Sequence, residues 1–277
     1  FLQDKTTGEN IIFATDIYSN EDITINPKDK ITKELITKDG VCIIQPRVYK
    51  SLADQQYRTK TNAEVFTPSW VCNKMNNYCD DEWFNGTQQF NKEDGVSWKA
   101  LEEKISFPEG KTWKDYVDSR RLEITCGEAP FIASRYDTAT GEIIELNNRI
   151  GILDRKFRVI NENAANDEEW LEWAYRALQS VYGYEYQGDS LLIARINVLN
   201  TFVDYYEARF RHRVEKSELR KAANIICWNL WQMDGIKCVI PESCHKEKKN
   251  NYQMSIFDFG DDGIYRAPFD AEEEECP

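Results

Sequence analysis

The stretch Arg121–Ile132, RLEITCGEAPFI, decides the fold. Leu122 and Ile124 make an apolar strand lead-in around the acidic Glu123, and Cys126–Gly127 supplies a turn. The small Ala129 follows, and the bulky Phe131 and Ile132 read as the start of a helix. A strand feeding a tight small-residue turn and then a helix is how α/β folds aim backbone N–H groups at a nucleotide-like ligand. The stretch lacks the full glycine spacing of a dinucleotide fingerprint, so its meaning depends on the segments around it.

Downstream, residues 133–165 read as an insertion with a hairpin, since turn signals stand at Thr140-Gly141 and Asn147-Asn148. Residues 167–180 predict a helix: acidic residues fill the first turn, and Trp170, Ala174, Ala177 and Val181 fall on one face. A strand over Val181–Glu185 comes next. A helix from about Ser190 to Phe210 follows, with Asp189 as its N-cap and Leu191, Val198, Phe202 and Tyr206 in its buried stripe. A shorter helix near Glu215–Asn224 leads into a last apolar strand, Ile225–Asn229. Helices alternating with short apolar strands predict a mostly parallel sheet. Upstream, Thr67-Pro68 marks a helix start, and Val71, Met75 and Cys79 recur at helical spacing behind it. Residues 85–111 read as an exposed connection. Residues 1–58, with strand-like runs at Asn10–Ala14 and Gly40–Gln45, read as an N-terminal extension packed on a main domain of residues 59–277.

The 277 residues suffice for one large α/β domain with such an extension. With 41% hydrophobic, 30% charged and 13% aromatic residues, the composition excludes extended disorder. No apolar run reaches the length of a membrane span, and no signal-peptide pattern opens the chain. The 8 cysteines form no CxxC pair, and Cys42, Cys227 and Cys238 sit in apolar runs, which favours reduced thiols in a cytoplasmic protein over a disulfide framework. Cys238, Cys244, His245 and Cys276 match no standard zinc spacing, and only 2 histidines leave little room for a Ser-His-Asp or Cys-His enzyme. No phosphate-cradling G-x-x-x-x-G-K-(S/T) occurs. The net charge of −13 argues against a broad duplex-gripping face. The local basic clusters Arg209–Arg213 and Lys246–Lys249 read as a solvated helix end and a loop. The initial Phe1 and the final AEEEECP lead us to expect a piece of a longer polypeptide, with any DNA-gripping surface outside it.

Four segments then stand in a telling order over roughly residues 60–236: Glu64-Val65-Phe66-Thr67-Pro68, Glu123 to Phe131, Tyr182-Gly183-Tyr184-Glu185 with Ala194-Arg195-Ile196-Asn197, and Ile225 to Asp234. Together they resemble the amino-terminal, cofactor-binding part of the N6-adenine DNA methyltransferases of restriction–modification type. The resemblance implies an α/β, Rossmann-like S-adenosylmethionine-dependent methyltransferase fold, mostly parallel, with helices on both faces of the sheet. It also implies roles. Glu185 would accept the ribose hydroxyls of S-adenosylmethionine and Asp234 its adenine amino group. Glu123 would meet its ammonium, Thr67 with nearby backbone N–H groups its carboxylate. Phe66 would pack beside the cofactor, and Cys126, Gly127 and Ala129 would line the turn. Each has an ordinary alternative: Phe66 as plain core, Glu185 as a solvated strand end, Asp234 as a turn residue before Gly235.

The chain departs from that family's pattern in places. Its catalytic (N/D/S)-P-P-(Y/F/W) loop has no counterpart, the nearest string being Arg266-Ala267-Pro268-Phe269, with Arg-Ala where hydrogen-bond acceptors are needed. Ala129 stands where a second glycine belongs, and Pro130 follows it. Glu123 and Glu185 lie much further apart than the usual ~20 residues. The resemblance implies methyl transfer from S-adenosylmethionine to adenine N6 in DNA, with this chain holding the cofactor-binding half, ahead of the catalytic loop. DNA and a restriction or specificity subunit would be its partners. The alternatives are a catalytically inactive methyltransferase-like subunit serving assembly or DNA specificity, and methylation of RNA or protein.

Overall fold

The computed structural model describes residues 1–241 and 243, apart from 20–23, 39–40 and 63. The expectations for Cys244, His245, Lys246–Lys249, Arg266–Phe269 and Cys276 therefore lie outside the described residues. The centre is a three-stranded parallel sheet of β1 (Arg121–Ile124), β2 (Val181–Glu185) and β3 (Leu230–Gln232), with β2 in the middle. Arg121 to Ile124 pair with Val181 to Tyr184, and Gly183 to Glu185 pair with Leu230 to Gln232. The chain is thus α/β, as its alternating pattern predicts.

One face of the sheet is well buried, through Val181, Gly183, Glu185, Leu230 and Gln232. The other carries an apolar row in register: Leu122 beside Tyr182, and Ile124 beside Tyr184 beside Trp231. The Tyr184 and Trp231 rings stack with centroids 5.8 Å apart. Leu122 and Ile124 are nonetheless 48% and 57% exposed, so among the described residues this face is only partly covered. That corrects the expectation of helices over both faces, because a fully covered parallel sheet hides both sets of side chains.

Between β1 and β2 the chain does not enter a helix at Phe131–Ile132 as expected; these residues lie in a turn. The segment read as an insertion has a bridge between Tyr136 and Ile143, then a helix, α2 (Ile152–Asn163), which the turn signals had obscured. Leu153, Phe157 and Ile160 are its buried stripe, at the i, i+4, i+7 spacing of a helix. Next comes α3 (Asp167–Gln179), capped by Asn166 and burying Trp170, Ala174 and Ala177. After β2, α4 (Gly188–Phe210) begins before Ser190, so Asp189 sits inside its first turn and is not its N-cap. A last helix, α5 (Lys216–Asn229), runs through Ile225–Asn229, the segment expected as a strand. Ala222, Ile225, Ile226 and Asn229 form its buried face, and Asn229 Nδ2 donates to Leu178 O and Val181 O, both at 3.0 Å.

Helix α1 (Ser69–Trp83) stands where Thr67-Pro68 predicts, but it buries a different side. Met75 is 54% exposed and Cys79 is exposed, while Cys72, Asn73, Asn76, Asn77 and Asp80 face inward. The reason is Arg155 on α2, whose guanidinium reaches Asp80 at 2.6 Å, Asn77 at 2.8 Å and Asn73 at 2.9 Å. Asn76 Nδ2 donates to Phe131 O and Ile150 O, both at 3.0 Å. A polar interface of this kind is tolerable in a core because its groups are paired. Residues 85–111 are also more structured than an exposed connection: Asn91–Asp94 and Ser97–Ala100 form a hairpin, with Phe90 and Ile105 buried on either side.

The N-terminal extension shares the main core through Ile11, Phe13, Ile25 and Ile31. The Gln232 amide brackets Ile12, accepting from its N–H and donating to its carbonyl at 2.8 Å each. Gly188 lies so close that an added Cβ would stand 1.9 Å from Ile12 O, which admits only glycine. Cys42, Cys72, Cys79, Cys126 and Cys227 are free thiols. No helix among the described residues is long and apolar enough to cross a membrane.

Removing one partner of a buried ion pair leaves an uncompensated charge, at a cost of about 3–5 kcal/mol. Asp80→Ala should therefore lower stability by about that amount in urea unfolding. An unchanged midpoint would contradict the role given to the Asp80–Arg155 pair.

Candidate functional site

Strand β1 ends in a turn of unusual backbone. Thr125, Gly127 and Ala129 have φ of 57°, 53° and 63°, the left-handed region in which a non-glycine residue is strained by roughly 1–2 kcal/mol. Cys126 N–H donates to Tyr184 O at 2.8 Å, which extends the parallel ladder one step into the turn. Glu185, the last residue of β2, then holds the turn with its side chain. Its Oε2 accepts from Gly127 N–H at 2.7 Å and its Oε1 from Gln187 N–H at 3.0 Å.

Of the residues expected to line the turn, Cys126 and Ala129 are buried at 1% and 0% exposure, so they shape it from below. The Cys126 thiol lies against Gly183, where an added Cβ would approach Sγ to 3.0 Å. Gly127 is the more open residue, and a Cβ there would meet the Phe66 ring edge at 3.7 Å. Phe66 is thus brought to the turn, and Thr67-Pro68 with it. Residues of the supposed insertion fasten that segment: Asp137 Oδ2 accepts from Ser69 N–H at 2.7 Å, and Thr138 Oγ1 donates to Thr67 O at 3.0 Å.

Arg47 covers the outer side of Phe66, its Cζ 5.2 Å from the ring centre. Its backbone N–H donates to Glu128 Oε1 at 2.7 Å, while the Tyr136 hydroxyl donates to Glu128 Oε2. Asn197, a motif residue, donates to Glu128 O at 3.0 Å and to the Tyr136 hydroxyl at 3.1 Å. Arg195 from the same motif holds Leu230 O at 2.8 Å and Phe1 O at 2.5 Å.

Asp234 follows β3 and makes an Asx turn, its Oδ1 accepting from Ile236 N–H at 3.0 Å and Lys237 N–H at 3.1 Å. It is a turn residue, as its ordinary alternative has it. The turn reaches back over the end of β1, because a Cβ on Gly235 would lie 3.0 Å from Ile124 Cγ2. The Phe66 ring therefore lies beside Gly127, Gly127 is bonded to Glu185, and Asp234 stands on the same carboxyl edge of the sheet.

The edge is acidic. Burial pushes the Glu123 carboxyl well above the usual range; the Phe131 and Ile132 N–H groups oppose this, and the nearby Glu185 charge adds to it. Glu123 Oε2 is buried without a hydrogen-bond partner, although the residue as a whole keeps some surface. Burial also raises Glu185 and Glu128 against the N–H and hydroxyl donors that hold them. Asp189 behaves oppositely: burial alone would raise it, but Arg58 and Lys50 hold it below the usual carboxylate range. Arg58 reaches it at 2.8 Å, Lys50 at 3.3 Å and the Tyr18 hydroxyl at 2.6 Å. Among the described residues no group of His, Cys, Asp and Glu is arranged to hold a metal ion.

Sequence reasoning assigned no role to Arg47, Arg58, Glu64, Glu128 or Asp137, although Glu64 and Glu128 stand inside the quoted motifs. Their contacts join distant segments, such as Arg58 to Asp189, and no local spacing announces them. A separate cavity of about 530 Å³ lies between the Asn91–Ala100 hairpin and α2, lined in part by Trp98, Asp154, Arg158 and Tyr205. No family model, curated protein or solved structure matches the chain.

Because the folded-state pKa of Glu123 lies above the unfolded value of about 4.3, its favourable contribution is complete at acidic pH and is lost as pH rises through the folded value. Glu123→Gln should therefore melt higher than the wild type at pH 8, by at least ~2 °C, with the gap closing toward pH 4. A lower melting point for the variant at pH 8 would contradict the unpaired buried charge.

Proposed function

We propose that this chain is the S-adenosylmethionine-binding part of a DNA adenine-N6 methyltransferase of restriction–modification type, built on a Rossmann-like sheet. The observation that carries this reading is the gathering of Phe66 beside Gly127 and of Gly127 on Glu185 at the carboxyl edge of parallel strands, the region where open α/β sheets take nucleotide ligands. The acidic edge supports it too, since the ligand carries a sulfonium and an ammonium against one carboxylate. On this reading Glu123 is the carboxyl that meets that ammonium.

On this reading Phe66 packs beside the ligand, and Thr67 with backbone N–H groups receives its carboxylate. Asp234 offers an acceptor to the adenine amino group. Each Glu185 oxygen already accepts one backbone N–H and keeps a further acceptor site for a ribose hydroxyl. Cys126 and Ala129 support the turn from beneath. When bound, S-adenosylmethionine supplies an electrophilic methyl group; the residues named here bind and orient it. DNA would be gripped through regions outside this chain, with a restriction or specificity subunit as a further partner, in the cytoplasm.

A second reading, an inactive methyltransferase-like subunit working in assembly or specificity, is favoured by the net charge of −13 and by the absence of a catalytic N-P-P-Y-type tetrapeptide from the 277 residues. Titration calorimetry with S-adenosylmethionine tests what the two share, and a saturable one-site heat is expected. A flat trace from a folded sample at high micromolar ligand would overturn the first reading. If binding is seen, transfer of labelled methyl to adenine-containing DNA separates the active from the inactive form.

A further inference from the structure

The basic cluster at the corner between α4 and α5 has no part in the carboxyl edge of the sheet. From Arg209 to Lys221 the sequence sets 6 cations, Arg209, Arg211, Arg213, Lys216, Arg220 and Lys221, against 2 acids, Glu215 and Glu218, in a chain of net charge −13. Arg209 is used internally, pairing with Asp167 at 3.1 Å, and Lys221 lies 3.9 Å from the Tyr175 ring centre. Glu218 is engaged as well, its Oε2 accepting from Glu215 N–H at 3.1 Å at the start of α5. Arg211, Arg213, Lys216 and Arg220 are exposed, and their side chains make no ion pair or hydrogen bond among the described residues.

Helix stability does not account for these four. Arg211 suits the carboxyl end of α4 by charge, but its backbone is left-handed there, with φ 61°, where glycine is the unstrained choice. Arg213 and Lys216 flank the amino end of α5, where a positive charge opposes the helix dipole. Lys216 and Arg220 stand four residues apart, so two like charges are neighbours on one helix face. The cations therefore gather against the local electrostatics, in a chain otherwise rich in carboxylates.

Such a corner fits a polyanion, and the guanidinium fork matches phosphate oxygens best. Between Arg209 and Lys221 no large apolar side chain is exposed, so nothing there would enter a lipid layer or offer a stacking platform to unpaired bases. The His212 ring is packed on Tyr206 and Phe210, with centroids 5.5 and 5.8 Å away. We propose that Arg211, Arg213, Lys216 and Arg220 form a surface that contacts the phosphate backbone of duplex DNA. Helix α4 runs 23 residues, about 34 Å, from the carboxyl edge of the sheet to this corner, so the contact is separate from the candidate site. It is a local hold, compatible with a net charge that argues only against a broad gripping face, and it adds to any grip outside this chain. It does not rest on the S-adenosylmethionine reading.

The test is fluorescence anisotropy of the full chain with a labelled DNA duplex, titrated between about 50 and 200 mM salt. Four phosphate contacts should give the wild type a slope of about −3.6 in log affinity against log salt, a loss on the order of a hundredfold over that range. The fourfold variant Arg211→Gly, Arg213→Ala, Lys216→Ala and Arg220→Ala should flatten that slope to near zero without lowering the melting temperature. Should it fail to fold, Arg211→Gly with Arg213→Ala carries the test, with a slope shallower by about 1.8. A control that replaces four exposed cations elsewhere, Lys28, Lys33, Lys60 and Lys104, by alanine should keep the wild-type slope. Undetectable or salt-independent binding by the wild type, an unchanged slope in the corner variant, or equal flattening in the control would each overturn the proposal. Tighter binding to phosphatidylserine vesicles, or to a single strand of the same length, would overturn it too, by giving the corner to a lipid surface or to unpaired nucleic acid.

Discussion

The carboxylate of Glu185 is the constraint on which the site depends. With one oxygen on Gly127 N–H and the other on Gln187 N–H, it joins the turn after β1 to the start of α4 across the end of β2. The strained residues Thr125 and Ala129 would relax without such a tie. Left-handed backbone costs roughly 1–2 kcal/mol per residue, whereas a hydrogen bond to a charged group is worth about 1.5–3 kcal/mol. Two such bonds, with the Cys126–Tyr184 backbone bond beside them, are enough to hold the turn. The same donors oppose the rise that burial gives the Glu185 pKa.

Around that tie, segments far apart in sequence converge. The extension brings Arg47 and Arg58, the stretch after the turn brings Asp137, and α4 brings Asp189. Carboxylates outnumber cations here: Glu64, Glu123, Glu128, Glu185 and Asp189 stand against Arg47, Lys50 and Arg58. The surplus is local and structured, more than a reflection of the chain's overall negative charge.

The alternation of helix and strand, and the turn after β1, were legible because they are local. Trp170, Ala174 and Ala177 announce α3, and Val181–Glu185 announces β2. The apolar run Ile225–Asn229 misleads because a short apolar run fits a buried helix face as well as a strand, and there the helix prevailed. Helix α1 misleads differently: its apolar side looks outward, since Arg155 draws the asparagines and Asp80 inward. At the site, Phe66, Gly127 and Glu185 could be read from short motifs. Arg47 and Asp137 could not, because their partners are fixed only when the chain closes on itself.

The asparagine-lined side of α1 has a mechanical consequence. Greasy helix faces slide past one another at small cost, since methyl groups meet equally well in neighbouring alignments. Amides and a forked guanidinium fit in a single alignment, and a slip of one residue would strand every donor at once. The joint between α1 and α2 thus works like a keyed shaft. The aromatic ring just ahead of α1 inherits that indexing and arrives at the glycine bend without play.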